Sequence, residues 1–217
     1  MPVCIINYGM GNVHSVAKAF EAVGAETVLA DNADSLKNID FDSLILPGVG
    51  AFGLGVEELK KRGFFDILPD IILDKNMPFM GICLGMHLLF EASEEANGIK
   101  GLGVLKGKIM RFVFNTGRFK VPHMGWNTVS AKPGGMFEGI GSNPFFYFCH
   151  SYYAPVDIVR GISSGVCSYG FEFCASIEMP GMWAVQFHPE KSQRLGLRVL
   201  KNFVNMAANK KGGSNEA

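Results

Sequence analysis

The eight residues from Met80 to His87 (Met-Gly-Ile-Cys-Leu-Gly-Met-His) constrain the fold of this chain more than any other stretch. The apolar run Pro78–Cys83 predicts a short buried parallel strand, and Leu84–Ala92 predicts a helix behind it. Cys83 then lies at the strand-to-helix turn, with Gly81 and Gly85 on either side. Such a turn is so tight that flanking side chains would clash, and it pushes the central side chain out above the sheet.

A cysteine in this turn has the features of a nucleophile. The first amides of the helix point at the thiol, which favours the thiolate and offers donors to an oxyanion. The alternative is a buried structural cysteine that lies between glycines by chance, since the chain holds 27 glycines in 217 residues. The turn alone does not decide between the two.

Composition bounds the classes of function. The length predicts one domain, residues 1–208, followed by a frayed tail at 209–217. The formal net charge is zero, which does not favour nucleic acid or an anionic membrane as partner. No apolar run reaches the roughly 18 residues of a membrane helix, and the N-terminus lacks a basic signal region. Five cysteines without metal-ligand spacing predict a reducing cytoplasm, with neither a metal nor another cofactor.

The first half of the chain alternates strands and helices. Apolar strands are predicted at Val3–Ile6, Thr27–Ala30 and Ser43–Leu46, which calls for a parallel sheet. The loop Pro47–Phe52 follows the third strand directly, so it should share an edge of the sheet with Cys83. Its glycines would let backbone amides face a ligand, although an ordinary strand-to-helix turn is the alternative. The remaining helices of this half are predicted to start near Val13 and to span Val56–Arg62 and Phe64–Lys75.

The alternation of predicted strands and helices ends at Leu102. Strand-like runs follow one another without long helices, and a final helix is predicted at Leu195–Ala207. The fold class is therefore α/β, with an open, mostly parallel central sheet flanked by helices and a more antiparallel C-terminal half. The predicted strands of that half are Lys106–Phe114, Phe145–Tyr153, Phe173–Met179 and Trp183–Phe187.

A second group of polar residues follows the last of these strands. His188 and Glu190 are separated by a proline, which fixes the local backbone and holds both on one edge. A thiol nucleophile needs an imidazole to move its proton, and the imidazole needs a carboxylate to fix its tautomer. The alternative for His188 is a surface histidine or a residue that caps the strand end, and the alternative for Glu190 is a surface carboxylate.

Two motifs about a hundred residues apart carry a family resemblance. Gly81–Gly85 (Gly-Ile-Cys-Leu-Gly) and Phe187–Glu190 (Phe-His-Pro-Glu) together resemble the signature of the class I, or triad, glutamine amidotransferases. The likeness extends from Val3 to about Asn205 and is nearest to the glutaminase subunits of imidazole glycerol phosphate synthase. The additional matching segments are Ile6–Asn12, Leu46–Phe52, Pro122–Asn127, His150–Tyr152 and Glu190–Ser192.

The resemblance implies a glutaminase that hydrolyses glutamine through a cysteine thioester. The ammonia would pass to a separate (β/α)₈-barrel synthase that makes imidazole glycerol phosphate and AICAR in histidine biosynthesis. By matching positions, Cys83 is the expected nucleophile, His188 the general base and acid, and Glu190 its orienting carboxylate. The other implied roles are oxyanion-hole amides (Val49, Leu84), glutamine contacts (Gly48, Gly50, His87, Ser151, Tyr152) and contacts with the synthase partner (Asn12, Met124, Trp126, Lys191).

His87 departs from the family pattern, which usually has glutamine there. Four-residue helical spacing puts His87 over the same turn as Cys83. As a substrate contact, it should titrate near its ordinary pKa of about 6.5 and modulate glutamine binding more than chemistry. The alternative is that His87 only packs or caps locally.

Three other functions remain open at this stage. A paralogous glutaminase could feed a different barrel synthase, for instance one that amidates a sugar, with the same catalytic motifs. A γ-glutamyl hydrolase would use the same triad but would need a pocket that admits more than free glutamine. A degenerate scaffold that only binds a partner is opposed by the intact Cys83, His188 and Glu190. The pair Met124 and Trp126, expected in a turn, is as consistent with local core as with an interface.

Overall fold

The computed structural model describes residues 2–73, 77–115 and 117–213. These residues form six α-helices and twelve strands. The helices are α1 (Val13–Ala22), α2 (Ala33–Leu36), α3 (Phe52–Lys61), α4 (Phe64–Leu73), α5 (Leu84–Leu88) and α6 (Gln193–Gly213). The strands are β1 (Pro2–Ile6), β2 (Glu26–Ala30), β3 (Ser43–Leu46), β4 (Phe79–Ile82), β5 (Phe90–Ser93), β6 (Leu105–Arg111), β7 (His123–Ala131), β8 (Phe145–His150), β9 (Tyr152–Tyr153), β10 (Ser163–Ser168), β11 (Glu172–Met179) and β12 (Met182–Val185).

Nine of the strands form one sheet in the order β2-β1-β3-β4-β12-β11-β10-β7-β8. Neighbours from β2 to β12 are parallel, and all pairs from β12 to β8 are antiparallel. A second sheet has the order β5-β6-β9. The predicted fold class, parallel first and more antiparallel in the C-terminal half, is confirmed.

Apolar side chains cover both faces of the large sheet. Val3 and Ile5 of β1 point into one hydrophobic cluster with α1 and α6, where Phe20 and Phe203 meet edge to face. Cys4 of the same strand points into the opposite cluster, which contains residues of α3 and α4. Burial on both faces explains why the parallel strands are continuous apolar runs. Within the described residues, no helix combines the length and apolar character needed to span a bilayer.

The three central strands β3, β4 and β12 position the residues of the site. β3 and β12 both pair with β4 in parallel, so the carboxyl ends of all three lie side by side. The loop after Leu46, Cys83 after β4, and the segment Gln186–Glu190 after β12 therefore converge at one edge of the sheet. The edge predicted from strand order for the loop and Cys83 is confirmed, and the segment after β12 joins them there.

Several boundaries differ from the sequence prediction. The helix after Cys83 ends at Leu88 rather than Ala92, because Leu102 and Leu105 donate backbone hydrogen bonds to Leu88 and Leu89 and draw the next residues into β5. An apolar run of this length fits a buried strand as well as a helix.

Two further strands, besides β5, were not predicted. The segment around Met124 and Trp126, expected as a turn, is β7, and β10 carries too little hydrophobic alternation to be found from sequence. The last helix is longer than expected and continues to Gly213, while residues 214–217 of the predicted tail lie outside the described residues. The predicted end of the fourth helix at Lys75 also lies outside them.

Candidate active site

Cys83 occupies a backbone conformation that side chains rarely adopt, with φ 53° and ψ −107°. A Cβ at Gly81 would lie 3.0 Å from the carbonyl oxygen of Gly85, and a Cβ at Gly85 would overlap the carbonyl oxygen of Leu46. Neither flanking position therefore tolerates a larger residue without backbone movement. The tight turn predicted from the glycine spacing is confirmed, and it holds the Cys83 side chain at the sheet edge.

His188 and Glu190 form the pair that the proline spacing predicts. Nδ1 of His188 lies 2.8 Å from Oε1 of Glu190, and both side chains are almost fully buried. The backbone is fixed as well, since the His188 amide donates to the Tyr147 carbonyl and the Ser192 hydroxyl donates to the His188 carbonyl. The imidazole therefore has one orientation, with its other nitrogen free to face the thiol.

The electrostatics of His188 link it to Cys83. Burial by itself lowers the pKa of His188, but a negative charge on Cys83, a hydrogen bond to Cys83 and the Glu190 carboxylate together raise it to about 10. The ring has a hydrogen-bonding partner on each side, the Glu190 carboxylate and the Cys83 sulfur. The arrangement Glu190–His188–Cys83 thus places an oriented imidazole beside the thiol, where it can take the proton of a cysteine nucleophile.

A cavity of about 430 Å³ opens over this pair. Its wall brings together nine of the residues predicted for the site: Val49, Gly50, Cys83, Leu84, His87, Ser151, Tyr152, His188 and Lys191. Glu190 lies behind His188, away from the cavity wall. Gly48, in the loop after β3, packs against the start of α5, where a Cβ would come within 2.9 Å of the Leu84 side chain.

The two amides predicted for the oxyanion hole do not converge. The Leu84 amide donates to the carbonyl oxygen of Gly48 at 3.2 Å. Because a trans peptide is planar and its C=O and N–H point in opposite directions, the Val49 N–H points away from Leu84. The predicted hole of Val49 and Leu84 is therefore not assembled in this structure, and its assignment stays a prediction.

His87 is buried in the cavity wall and is already bonded. Its Nε2 lies 2.6 Å from Oε1 of Gln186, and Nε2 of Gln186 lies 3.8 Å from the Cys83 sulfur. A carbonyl oxygen only accepts, so Nε2 of His87 carries the proton and Nδ1 is left as an acceptor. Any contact of His87 with a substrate would therefore use Nδ1. Gln186 was not among the predicted site residues, although it stands two residues before His188.

The expected titration of His87 near pH 6.5 is wrong. Burial lowers the pKa of His87 to about 4, and the hydrogen bond that His87 donates to Gln186 opposes this only in part. The ring is consequently neutral from pH 6 to 8 and contributes no acid limb to substrate binding in that range.

The same pKa shift predicts how acid affects stability. The pKa of His87 is about 4 in the folded state and near 6.5 in the unfolded state. The contribution of neutral His87 to the free energy of unfolding is therefore fully present above pH 6.5 and is lost as the pH falls toward 4. The wild type should lose about 1.4 kcal/mol of its free energy of unfolding per pH unit in that range through His87, and the His87→Gln variant should not. Urea unfolding at pH 7, 6 and 5 should show a shallower decline for the variant. Parallel pH profiles would mean that His87 is not buried as a neutral ring.

A chain of buried hydrogen bonds supports Ser151 and Tyr152 from behind. Nδ1 of His150 donates to the Tyr152 carbonyl at 2.7 Å, so its Nε2 accepts from Nδ1 of His123 at 3.0 Å. Nε2 of His123 in turn accepts from the Asn127 amide at 3.2 Å. Burial and the neighbouring His123 hold the pKa of His150 well below its ordinary value, which keeps both tautomers fixed. The predicted substrate contacts thus lie on a rigid backbone.

Glu95 is a cavity residue that sequence reasoning missed. Its Oε2 accepts a hydrogen bond from the Phe52 amide at 2.8 Å, at the first turn of α3. This bond holds a partly buried carboxylate in the cavity wall. A carboxylate 12 residues after the cysteine carries no local motif, so no sequence signal distinguished it from a surface residue.

The four residues predicted to contact a partner lie outside or at the rim of the cavity. Met124 and Trp126 project from β7 and are 61% and 46% exposed, so the alternative that they form local core is wrong. Trp126 meets the Tyr147 ring edge to face, and Nζ of Lys191 lies 5.7 Å from the same ring. The exposed Asn12 caps α1 by accepting from the Ser15 amide.

The chain belongs to the class-I glutamine amidotransferase family, whose sequence model matches residues 4–207. Its curated relatives include the imidazole glycerol phosphate synthase subunit HisH of Chlorobaculum tepidum, 43% identical over 93% of this chain and 98% of the relative. HisH of Methanocaldococcus jannaschii is likewise 43% identical over 93% and 98%. A crystal structure of a glutamine amidotransferase matches with a TM-score of 0.70 at 19% identity, covering 95% of this chain and 98% of the other, which supports the fold alone.

Proposed function

We propose that this protein is the glutaminase subunit of an imidazole glycerol phosphate synthase in the histidine pathway. The geometry that carries this proposal is the Cys83–His188–Glu190 constellation at the sheet edge, beneath a cavity large enough for an amino acid. Relatives named as HisH over nearly the whole chain support the choice of pathway. Five free cysteines suit a reducing cytoplasm.

The proposed reaction runs in two halves. The Cys83 thiolate attacks the side-chain carboxamide carbon of glutamine, and the imidazolium of His188 donates its proton to the leaving nitrogen, which departs as ammonia. The product is a thioester. Water then attacks the thioester carbon while neutral His188 takes its proton, and collapse of the intermediate releases glutamate and restores the thiolate–imidazolium pair. Glu190 stabilises the cation and fixes the tautomer throughout.

Glu95 extends the proposal to substrate recognition. Its second carboxylate oxygen is not used by the Phe52 amide and could bind the α-ammonium group of glutamine. We expect Glu95→Gln to raise KM for glutamine by at least tenfold and to change kcat by a small factor, since the contact is remote from the reacting carbon. Steady-state kinetics of the full chain in complex with its partner test this. A loss confined to kcat would contradict the assignment.

The unassembled oxyanion hole predicts a dependence on the partner. Losing one oxyanion donor costs about 10²–10³ in rate, so we expect weak glutamine hydrolysis by the chain alone. A (β/α)₈-barrel synthase that docks against Met124, Trp126, Asn12 and Lys191 would turn the Gly48–Val49 peptide and complete the hole. This coupling would also prevent the waste of glutamine.

The experiment that tests the proposed function is co-purification of the chain with its partner, followed by glutaminase assays with candidate phosphoribosyl ligands. We expect hydrolysis to rise at least about a hundredfold with the cyclase partner and its ligand bound. Stimulation only by a synthase that amidates a sugar would assign the chain to another pathway. High activity of the isolated chain, unchanged by any partner, would contradict the coupling.

A further inference from the structure

Tyr8 lies two residues after the end of β1, and its buried hydroxyl has no role in the site described above. The side chain is fully buried, and its oxygen makes no hydrogen bond with any of the described residues. A buried hydroxyl without a partner is destabilising, and phenylalanine would fill the same volume without that cost. The structure therefore contains a donor that lacks an acceptor in the conformation observed.

The hydroxyl of Tyr8 lies directly against the loop that carries the predicted oxyanion amide. A Cβ at Gly48 would overlap the Tyr8 oxygen, so the two groups are in contact only because this residue is glycine. Burial, and then the negative charge on Cys83, raise the pKa of Tyr8, which keeps the phenol protonated and able to donate. Met10 and Gly11 pack on the same loop, since their atoms lie near Gly50 and the Gly48 backbone.

The Gly48 carbonyl oxygen would need a new hydrogen-bond donor if the Gly48–Val49 peptide turned from its observed orientation. The Gly48 carbonyl now accepts from the Leu84 amide. To present the Val49 N–H to an oxyanion, the peptide has to turn, and the carbonyl then leaves Leu84. A buried carbonyl needs a new donor, and the hydroxyl adjacent to Gly48 has no other partner.

We propose that Tyr8 is a positioning residue. Its hydroxyl makes no hydrogen bond in the resting state observed here, and it donates to the Gly48 carbonyl when the Gly48–Val49 peptide turns to complete the oxyanion hole. The proposal rests on the proposed glutaminase function and deepens it. Removal of the hydroxyl relieves an unsatisfied group in the resting state and deletes a hydrogen bond in the active state. Both effects shift the equilibrium toward the unassembled hole.

Tyr8→Phe in the full chain tests this inference, with Tyr169→Phe as the matched control. Tyr169 loses a hydroxyl that is bonded to the Lys120 backbone, away from the cavity. For Tyr8→Phe we expect basal kcat for glutamine to fall at least about tenfold with KM unchanged, and the unfolding midpoint to stay equal or rise. The rate of Cys83 alkylation by iodoacetamide, which needs no oxyanion hole, should match the wild type. Tyr169→Phe should lower the midpoint and keep kcat.

Wild-type hydrolysis that disappears in Cys83→Ala establishes the glutaminase function independently of Tyr8. Given that, a Tyr8→Phe kcat within twofold of the wild type would overturn the inference and leave the proposed function standing. A fall in kcat accompanied by an equal fall in alkylation, or by a lower unfolding midpoint, would also overturn it, because a packing role would then account for the loss.

Discussion

Replacing Cys83 with alanine is expected to reduce glutamine hydrolysis to background while the complex still makes its product from added ammonia. Without the thiolate no thioester can form, and losing the nucleophile of a coupled catalytic unit costs on the order of 10⁶ in kcat. The synthase chemistry takes place on the partner, so ammonium salts should bypass the defect. Glutamate release and product formation are measured with glutamine and with ammonium as nitrogen donor.

The matched control for this variant is Cys167→Ala. Cys167 is equally buried and free but lies on β10. Burial raises the pKa of its thiol to about 12, so it remains protonated and unreactive at neutral pH. Retention of glutamine hydrolysis by Cys83→Ala, or its loss in Cys167→Ala with the fold intact, would refute the role of Cys83.

The next largest effects are expected at His188 and Glu190. General acid–base catalysis contributes about 10²–10⁴ in rate, so His188→Asn should lower kcat by at least about a hundredfold. Glu190→Gln keeps the size of the side chain but loses the charge that helps to raise the pKa of His188, so we expect a smaller loss. The rank order is measured as kcat under saturating glutamine in the stimulated complex. A Glu190 variant less active than the His188 variant would contradict the assigned roles.

Sequence predicted the parts of the site that local rules determine. The turn at Cys83 followed from two glycines, because no larger residue fits beside the Gly85 and Leu46 backbone. The shared edge of Cys83 and the loop Pro47–Phe52 followed from the rule that parallel strands end at one edge. That rule holds here because β3 and β4 pair in parallel. The convergence of Cys83 with His188 was expected from the chemistry of a thiol nucleophile and from the family resemblance, and it depends on the parallel pairing of β12 with β4.

The remaining parts depend on contacts that no local pattern records. Glu95 enters the cavity because its carboxylate bonds the Phe52 amide, 43 residues away. Gln186 reaches Cys83 only through the pairing of β12 with β4. His87 does not titrate as expected because tertiary packing buries its ring, and burial lowers its pKa. The peptide orientation at Gly48 is likewise a tertiary feature, since it depends on a hydrogen bond from Leu84.

The central claim, that Cys83 forms the covalent intermediate with glutamine, is tested most directly by labelling with a glutamine-like electrophile and peptide mass mapping. The account predicts one labelled cysteine, Cys83, and protection of that cysteine by excess glutamine. Labelling at Cys4, Cys149, Cys167 or Cys174 with Cys83 unmodified would contradict it.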